Sequence, residues 1–148
     1  MTTTEYLLDT NACIAIRQLL ANKLPKNQDR LRAIAALRQR WQQAGAHTLA
    51  MSLITLGELE FGASKSQSTD ARERLAALRA AVAVLIPDAT VAGHYGAIRH
   101  QLEKAGQGIG HNDTWIAAHG LATGRTVVTH NVSEFGRVPG LNTEDWAA

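Results

Sequence analysis

The sequence is poor in cysteine and in long apolar runs, and each shortage excludes a class of protein. Cys13 is the only cysteine among 148 residues, so an intrachain disulfide and a cysteine-rich zinc site are both excluded. The longest purely apolar run, residues 80–86, is far shorter than the roughly 20 residues of a membrane-spanning helix. The first residues lack the positively charged start of a secretory signal, and Asp9 interrupts the apolar stretch behind them. We therefore expect a protein of the reducing cytoplasm without a membrane span, in which Cys13 is a buried and inert helix residue.

Negative charge is scarce in one part of the chain. The formal net charge is only +2, but between residues 17 and 40 Asp29 is the single acid. The basic residues of this segment are Arg17, Lys23, Lys26, Arg30, Arg32, Arg38 and Arg40. Two interpretations stay open: a surface that attracts phosphate groups, or the solvated face of a helix.

Segments with the apolar spacing of short strands alternate with segments that have the apolar spacing of longer helices. Strands are predicted over residues 6–8, 48–52, 82–86 and 125–129, the third of them buried, with an edge strand in the last few residues. Helices are predicted from residue 12 to about 20 and over 27–44, 53–63, 70–81, 88–105 and 112–124, with 64–69 as a loop. No stretch rich in Pro, Gly or Ser divides the chain, so we expect a single α/β domain over residues 1–148. This alternation favours a parallel sheet covered by helices on both faces.

In such sheets the ligand crevice lies beyond the carboxyl ends of the strands, where the strand order reverses. Asp9 directly follows the first predicted strand, and residues 129–131 follow the strand that contains Val128. Three acids occupy positions where an ordinary soluble fold does not need one: Asp9 at a strand end, Glu58 in an apolar helical stretch and Asp113 at the start of a helix. Asp9 and Asp113 each have a plainer explanation, which is to cap a helix or to complement its dipole.

Glu58 is harder to explain as an ordinary helix residue. It projects between Ile54 and Phe61, on an apolar face where a carboxylate needs a partner. Spacing alone does not separate it from Glu60, which also has apolar neighbours. If the acids converge, a shared cation would relieve their repulsion, and oxygen ligands without cysteine or paired histidine favour Mg²⁺ or, in its place, Mn²⁺. Such a metal keeps several waters, which suits the hydrolysis of phosphate esters.

Four segments of the chain, in order, resemble the motifs of the PIN-domain ribonucleases, in particular the VapC-type toxins. These segments are residues 7–11 (LLDTN), 52–62 (SLITLGELEFG), 110–119 (GHNDTWIAAH) and 127–135 (VVTHNVSEF). The resemblance covers nearly the whole chain, although any one segment alone is a weak signal. It implies a three-layer α/β/α PIN-like domain with a central parallel sheet.

The resemblance also implies a site: Mg²⁺-dependent cleavage of RNA with Asp9, Glu58 and Asp113 as the catalytic residues. Asp9 and Asp113 would hold the metal, and Glu58, rather than Glu60, would orient water or bind the metal through water. The residues that would support these ligands, or that form the fourth motif, are Thr10, Asn11, Asn112, Thr129 and Asn131.

Asn131 departs from the family pattern, because many members carry an aspartate at this position. The amide can still position a water or a ligand, but the site then has one negative charge fewer. Glu134 either supplies a carboxylate of its own or is a surface residue. His111 and His130 adjoin the site, where they either meet phosphate or are plain loop residues, and none of the six histidines has the spacing of a zinc helix.

The partners implied by the resemblance are an RNA substrate, with transfer RNA as one candidate, a cognate antitoxin that buries the crevice, and a second copy in a homodimer. Two other functions stay open. A non-catalytic module of the same fold would hold RNA or protein, and metal-dependent activity separates it from an enzyme. A haloacid-dehalogenase-like phosphatase would need a second aspartate at the position of Asn11, which weakens that reading.

Overall fold

Five short strands and seven helices make up the described part of the chain, residues 5–45 and 48–147 of this computed structural model. The strands are β1 Tyr6–Leu8, β2 Leu49–Ser52, β3 Ala83–Leu85, β4 Thr126–Val128 and β5 Thr143–Glu144. The helices are α1 Thr10–Leu20, α2 Gln28–Ala44, α3 Leu53–Ser66, α4 Thr69–Ala81, α5 Ala89–Lys104, α6 His111–Thr123 and α7 Val132–Phe135. No helix among these residues is long and apolar enough to cross a membrane.

The strands form one parallel sheet in the order β3-β2-β1-β4-β5. Leu7 of β1 lies between Ala50 of β2 and Val127 of β4. The chain first builds one side of β1 with β2 and β3 and then crosses to the other side, so the strand order reverses between β1 and β4. The predicted parallel sheet is confirmed, and the place where a ligand crevice is expected lies at the carboxyl ends of these two strands.

Helices cover both faces of the sheet, because neighbouring residues of a strand point to opposite faces. Leu8 belongs to a core packed by α1 to α4, which includes Ile16 and the fully buried Cys13. Leu7 belongs to a second core packed by α5 to α7, with Ile116 and Phe135. The result is the predicted three-layer α/β/α arrangement, and Cys13 is the buried helix residue that was expected.

The predicted loop over residues 64–69 is wrong for most of its length. Helix α3 continues to Ser66, Gln67 adopts a left-handed φ of 53°, and α4 begins at Thr69. The polar residues were misleading, because Ser64 and Lys65 are exposed positions of a helix. At the last residue of α3, the Ser66 hydroxyl donates a hydrogen bond to the Ala63 carbonyl at 2.9 Å.

The prediction that the third strand is buried is also wrong. Ala83 is exposed, and Ile86 just beyond the strand is 69 % exposed. Among the described strands β3 pairs with β2 alone, so it forms an edge of the sheet. Its apolar run therefore reflects an edge strand with one covered face, not a central position.

Candidate active site

Asp9 lies at the carboxyl end of β1 and begins α1. Its side chain is 2 % exposed, and its Oδ1 accepts a hydrogen bond from the Ala12 amide at 2.8 Å. Asp9 is therefore the N-cap of α1, as the plainer explanation predicted. The buried Thr129 hydroxyl, at the end of β4, also donates to the Asp9 carboxylate. Hydrogen bonds from residues that follow two neighbouring strands, β1 and β4, thus orient the Asp9 carboxylate.

Glu58 reaches the same edge of the sheet from α3. It is half-buried, and its Oε1 accepts a hydrogen bond from the Thr10 hydroxyl at 2.6 Å. Glu60 points elsewhere on the same helix and forms an ion pair with Arg72. The structure thus distinguishes the two glutamates that spacing could not separate, because Glu58 alone of the pair faces Asp9 and its helix.

Asp113 enters from the first turn of α6 and does not cap it. The N-cap residue is Gly110, which has no side chain to bond the free amides. Asp113 is half-buried, and burial together with the charges of Asp9, Glu58 and Glu134 raises its pKa from 3.8 to about 6. Like charges raise the pKa of a carboxyl only when they lie close to it. The three predicted acids therefore converge.

The same repulsion acts on Asp9. Burial is the largest cause that raises the pKa of Asp9, and the charge of Glu58 adds to it. The hydrogen bonds from Thr129 and Ala12 and the positive charge of His130 oppose this rise without cancelling it. Folding thus keeps an unfavourable set of negative groups together at the carboxyl ends of β1 and β4.

Glu134 is the fourth carboxylate of this set, and the sequence had left its role undecided. It lies on α7, a helix of four residues that was not predicted because it is too short to show a helical period. That single turn brings Glu134 near enough to raise the pKa of Asp113. We call Asp9, Glu58, Asp113 and Glu134 the acid cluster.

The predicted supporting residues differ in how they meet the acid cluster. Thr10 and Thr129 donate to Glu58 and Asp9, as described. Asn131 donates its backbone N–H to the Thr129 hydroxyl at 2.9 Å, whereas its side-chain Oδ1 accepts from Ser133 at 3.3 Å. Asn11 and Asn112 are exposed. Asn112 nevertheless lines the groove described below, beside Glu58.

Carboxylate chemistry fits a hard divalent cation, since the acid cluster offers oxygen donors whose mutual repulsion a cation would relieve. In the described residues, however, no three Asp, Glu, His or Cys side chains already stand in position to share one ion. Glu58 and Asp113 are only half-buried.

A groove of about 670 Å³ opens directly beside Glu58. Thr10 and Asn112 form polar parts of its wall, and Leu53 and Phe61 form apolar parts. Phe61 is 69 % exposed, so the apolar face on which Glu58 was predicted to sit is turned largely to the solvent. Glu58 is the member of the acid cluster that lines this groove.

The basic segment over residues 17–40 is partly neutralised within the fold. Lys23, Arg32 and Arg40 pair with acidic side chains, namely Asp70, Asp29 and Glu144. Three exposed basic residues of α2 and the segment before it form no ion pair with any described residue: Lys26, Arg30 and Arg38. The ion-paired residues thus contribute little positive charge to the surface, whereas the three residues without an ion pair can still attract phosphate groups.

Comparison with known proteins finds relatives over nearly the whole chain. The family model of the PIN domain matches residues 6–141. Ribonuclease VapC1 of Haemophilus influenzae strain R2866 is 37 % identical over 142 residues, which span 95 % of this chain and 97 % of that protein. The tRNA(fMet)-specific endonuclease VapC of Shigella flexneri is 37 % identical over 146 residues, 97 % of this chain and 98 % of that one.

Solved structures give the same result for the fold. The structure of VapBC-1 from nontypeable Haemophilus influenzae superimposes with a TM-score of 0.80 at 35 % identity, covering 98 % of this chain and 100 % of that one. VapBC2 from Rickettsia felis, bound to a DNA fragment from their promoter, gives a TM-score of 0.78 at 31 % identity over 97 % and 99 % of the two chains.

These matches remove the haloacid-dehalogenase-like interpretation, which the absence of a second aspartate at Asn11 had already weakened. The matched residues 6–141 contain every member of the acid cluster. The similarity to VapC proteins extends over nearly the full length of both partners. The chain therefore belongs to the PIN domain family, among its VapC-type proteins.

Proposed function

We propose that the protein is a Mg²⁺-dependent endoribonuclease that acts as the toxin of a toxin–antitoxin pair and hydrolyses phosphodiester bonds of RNA. The observation that carries this proposal is the acid cluster, in which burial, together with the charges of Asp9, Glu58 and Glu134, raises the pKa of Asp113 to about 6. A fold gains no stability from such an arrangement, but a metal site requires it. The names of the relatives, ribonuclease and tRNA-specific endonuclease, support the same activity.

Asp9 and Asp113 are the residues proposed to hold Mg²⁺, with Mn²⁺ as a substitute. The bound ion would supply positive charge to the phosphodiester and would lower the pKa of a water. Thr129 and the Ala12 amide fix the Asp9 carboxylate before any ligand arrives. Such orientation of a ligand by its hydrogen-bond partners is part of what defines a metal site.

Glu58 is proposed to orient the attacking water and to receive its proton. The Thr10 hydroxyl holds one carboxylate oxygen of Glu58 at 2.6 Å, which leaves the other oxygen free to accept a hydrogen bond. Glu134 adds negative charge near Asp113 and offers a further oxygen donor. Asn131 supports the site through its backbone bond to Thr129, and its side-chain amide is available to water if it leaves Ser133.

RNA is proposed to lie in the groove beside Glu58, with its backbone across the acid cluster. Phe61 offers an exposed ring on which an unpaired base can stack. The unpaired cations Lys26, Arg30 and Arg38 would attract the phosphate backbone from further away. Transfer RNA is the proposed substrate class, because relatives of 35–37 % identity carry the name tRNA(fMet)-specific endonuclease.

Two protein partners belong to the same proposal. Similar proteins have been solved as VapBC assemblies. A cognate antitoxin is therefore proposed to cover the acid cluster. A homodimer is proposed on the family resemblance.

The test is cleavage of pooled cellular RNA by the purified chain, freed of any partner. Magnesium should support cutting, and a chelator or Asp9→Asn should abolish it. Glu60→Gln is the matched control, because Glu60 lies on the same helix as Glu58 but pairs with Arg72. Absence of cutting by a folded, partner-free chain would instead support a non-catalytic module that binds RNA or protein.

A further inference from the structure

The buried histidine His119 plays no part in the acid cluster. It lies on α6, is 1 % exposed, and its Nδ1 is 2.8 Å from the Oγ of Ser52. Ser52 is itself fully buried and is 67 residues away in the sequence. The pair therefore joins α6 to the start of α3, and these two helices carry Asp113 and Glu58.

The Ser52 hydroxyl takes part in a helix cap as well as in the contact with His119. As the N-cap of α3, Ser52 Oγ accepts from the Ile54 amide at 3.2 Å. The same hydroxyl can donate to Nδ1 of His119 or accept from it, according to the tautomer of the ring. Burial is the main cause that lowers the pKa of His119, with the charge of Arg125 next and Asp88 opposing, which favours the neutral ring.

The Ser52–His119 hydrogen bond and the two acids are separated by the same number of residues on each helix. Glu58 follows Ser52 by six residues along α3, and Asp113 precedes His119 by six residues along α6. Six residues of helix span about 9 Å. The same two helices thus bring together Ser52 with His119 and Glu58 with Asp113, whose pKa the charge of Glu58 helps to raise.

We infer that the Ser52–His119 hydrogen bond fixes the register between α3 and α6 and thereby the separation of Glu58 from Asp113. His119 is thus a positioning residue for the acid cluster. Its importance for metal binding rests on the proposed function, whereas the register belongs to the fold alone. A polar bond suits this task because it is directional, whereas apolar contacts between helices tolerate small axial shifts.

Two substitutions of His119 separate positioning from simple packing. The amide of His119→Asn takes the place of Nδ1 and can accept from Ser52, whereas the amide of His119→Gln reaches only the place of Nε2. The Mn²⁺ affinity of His119→Gln should fall about tenfold, as for other residues that orient ligands. His119→Asn should stay within about threefold of the wild type. In RNA cleavage, kcat of His119→Gln should fall while KM changes little.

Thr48→Val controls for general loss of stability. Thr48 is equally buried, but its hydroxyl donates to the Ala44 and Gly45 carbonyls, at the opposite end of β2 from Ser52. This variant should lose stability and keep the wild-type Mn²⁺ affinity. Equal losses of affinity in His119→Asn and His119→Gln, or a similar loss in Thr48→Val, would overturn the inference.

Crystal structures of the metal-free variants test the register without any metal. The Cα separation of Glu58 and Asp113 should change by about 0.5 Å or more in His119→Gln, the tolerance of a functional site, and return in His119→Asn. An unchanged separation in His119→Gln would contradict the inference. If the wild type bound no Mn²⁺, the proposed function would fail, but this comparison would still decide the role of His119.

Discussion

The fold shifts the pKa values of two groups of carboxylates in opposite directions. Burial is the largest single influence on Asp70 of α4 and by itself raises its pKa, but the hydrogen bonds and charges of Arg74 and Lys23 together outweigh it and lower the pKa. Glu103, on α5, pairs with Arg99, which likewise lowers its pKa. In the acid cluster, by contrast, the pKa of Asp113 rises to about 6, because its carboxyl is partly buried and other carboxylates lie near it.

The difference shows which acids serve stability and which serve a ligand. A carboxylate whose pKa is lowered by its partner stabilises the folded state at neutral pH, whereas one whose pKa is raised destabilises it. Proteins accept such local destabilisation mainly at functional sites. The predictions below test this contrast between the acid cluster and the paired acids.

The largest contrast is expected between Glu58→Gln and Glu60→Gln, two variants of one helix. Glu58→Gln should lower kcat for RNA cleavage by about 100-fold or more, because it removes the group proposed to receive a proton. Glu60→Gln should leave kcat unchanged, since Glu60 only pairs with Arg72. Single-turnover cleavage of a defined RNA measures both. Equal activities of the two variants would show that Glu58 has no catalytic role that Glu60 lacks.

A smaller loss is expected for Glu134→Gln. Its charge raises the pKa of Asp113, but Glu134 is the last of the causes and acts from the short helix α7. Cleavage should fall about tenfold, in the range for groups that tune a metal site. In the metal-free protein, carbon NMR of the carboxyl groups should show a lower pKa for Asp113. An unchanged pKa would place Glu134 outside the acid cluster.

Asp113→Asn should stabilise the metal-free protein. The folded-state pKa of Asp113 is about 6 against 3.8 for the free group. The folded state therefore binds the proton more tightly, and stability is lost as the pH rises from about 4 through 6. Removing the charge should add about 1–2 kcal/mol at pH 7.5, after allowance for partial solvation, and nothing near pH 3.5. Urea unfolding at the two pH values measures this.

Asp70→Asn should give the smallest effect, with the opposite sign. The pKa of Asp70 is lowered in the folded state, so its contribution is present at neutral pH and is lost as the pH falls through its folded-state pKa. The variant should be slightly less stable than the wild type at neutral pH and equal to it in acid. A stabilising Asp70→Asn at neutral pH would remove the contrast between the two groups.

The parallel sheet and three of the four acids follow from sequence because they depend on local signals. Short apolar runs and helix-length segments alternate clearly, and the resemblance selects Glu58 over Glu60. The edge position of β3 was not predictable from its apolar run, because strand order is a long-range property. The continuation of α3 to Ser66 was missed because exposed polar helix residues resemble a loop.

The parts of the site that escaped prediction depend on contacts across the fold. Glu134 reaches Asp113 only through the single turn of α7. The Ser52–His119 pair joins residues 67 positions apart, and no local pattern marks either of them as a partner. The amide of Asn131 was expected to be able to position a water or a ligand; the bond from its backbone N–H to Thr129 and the bond that its Oδ1 accepts from Ser133 were not foreseen.

The central claim is that the acid cluster exists to bind a divalent metal, and titration of Mn²⁺ into the metal-free protein tests it most directly. Electron paramagnetic resonance distinguishes free from bound Mn²⁺ without any need for RNA. Mn²⁺ should bind to the wild type and to Asp70→Asn, and binding should be lost when Asp9→Asn and Asp113→Asn are combined. If Mn²⁺ stays free with the wild type, or binds the combined variant as tightly, the acid cluster is not a metal site.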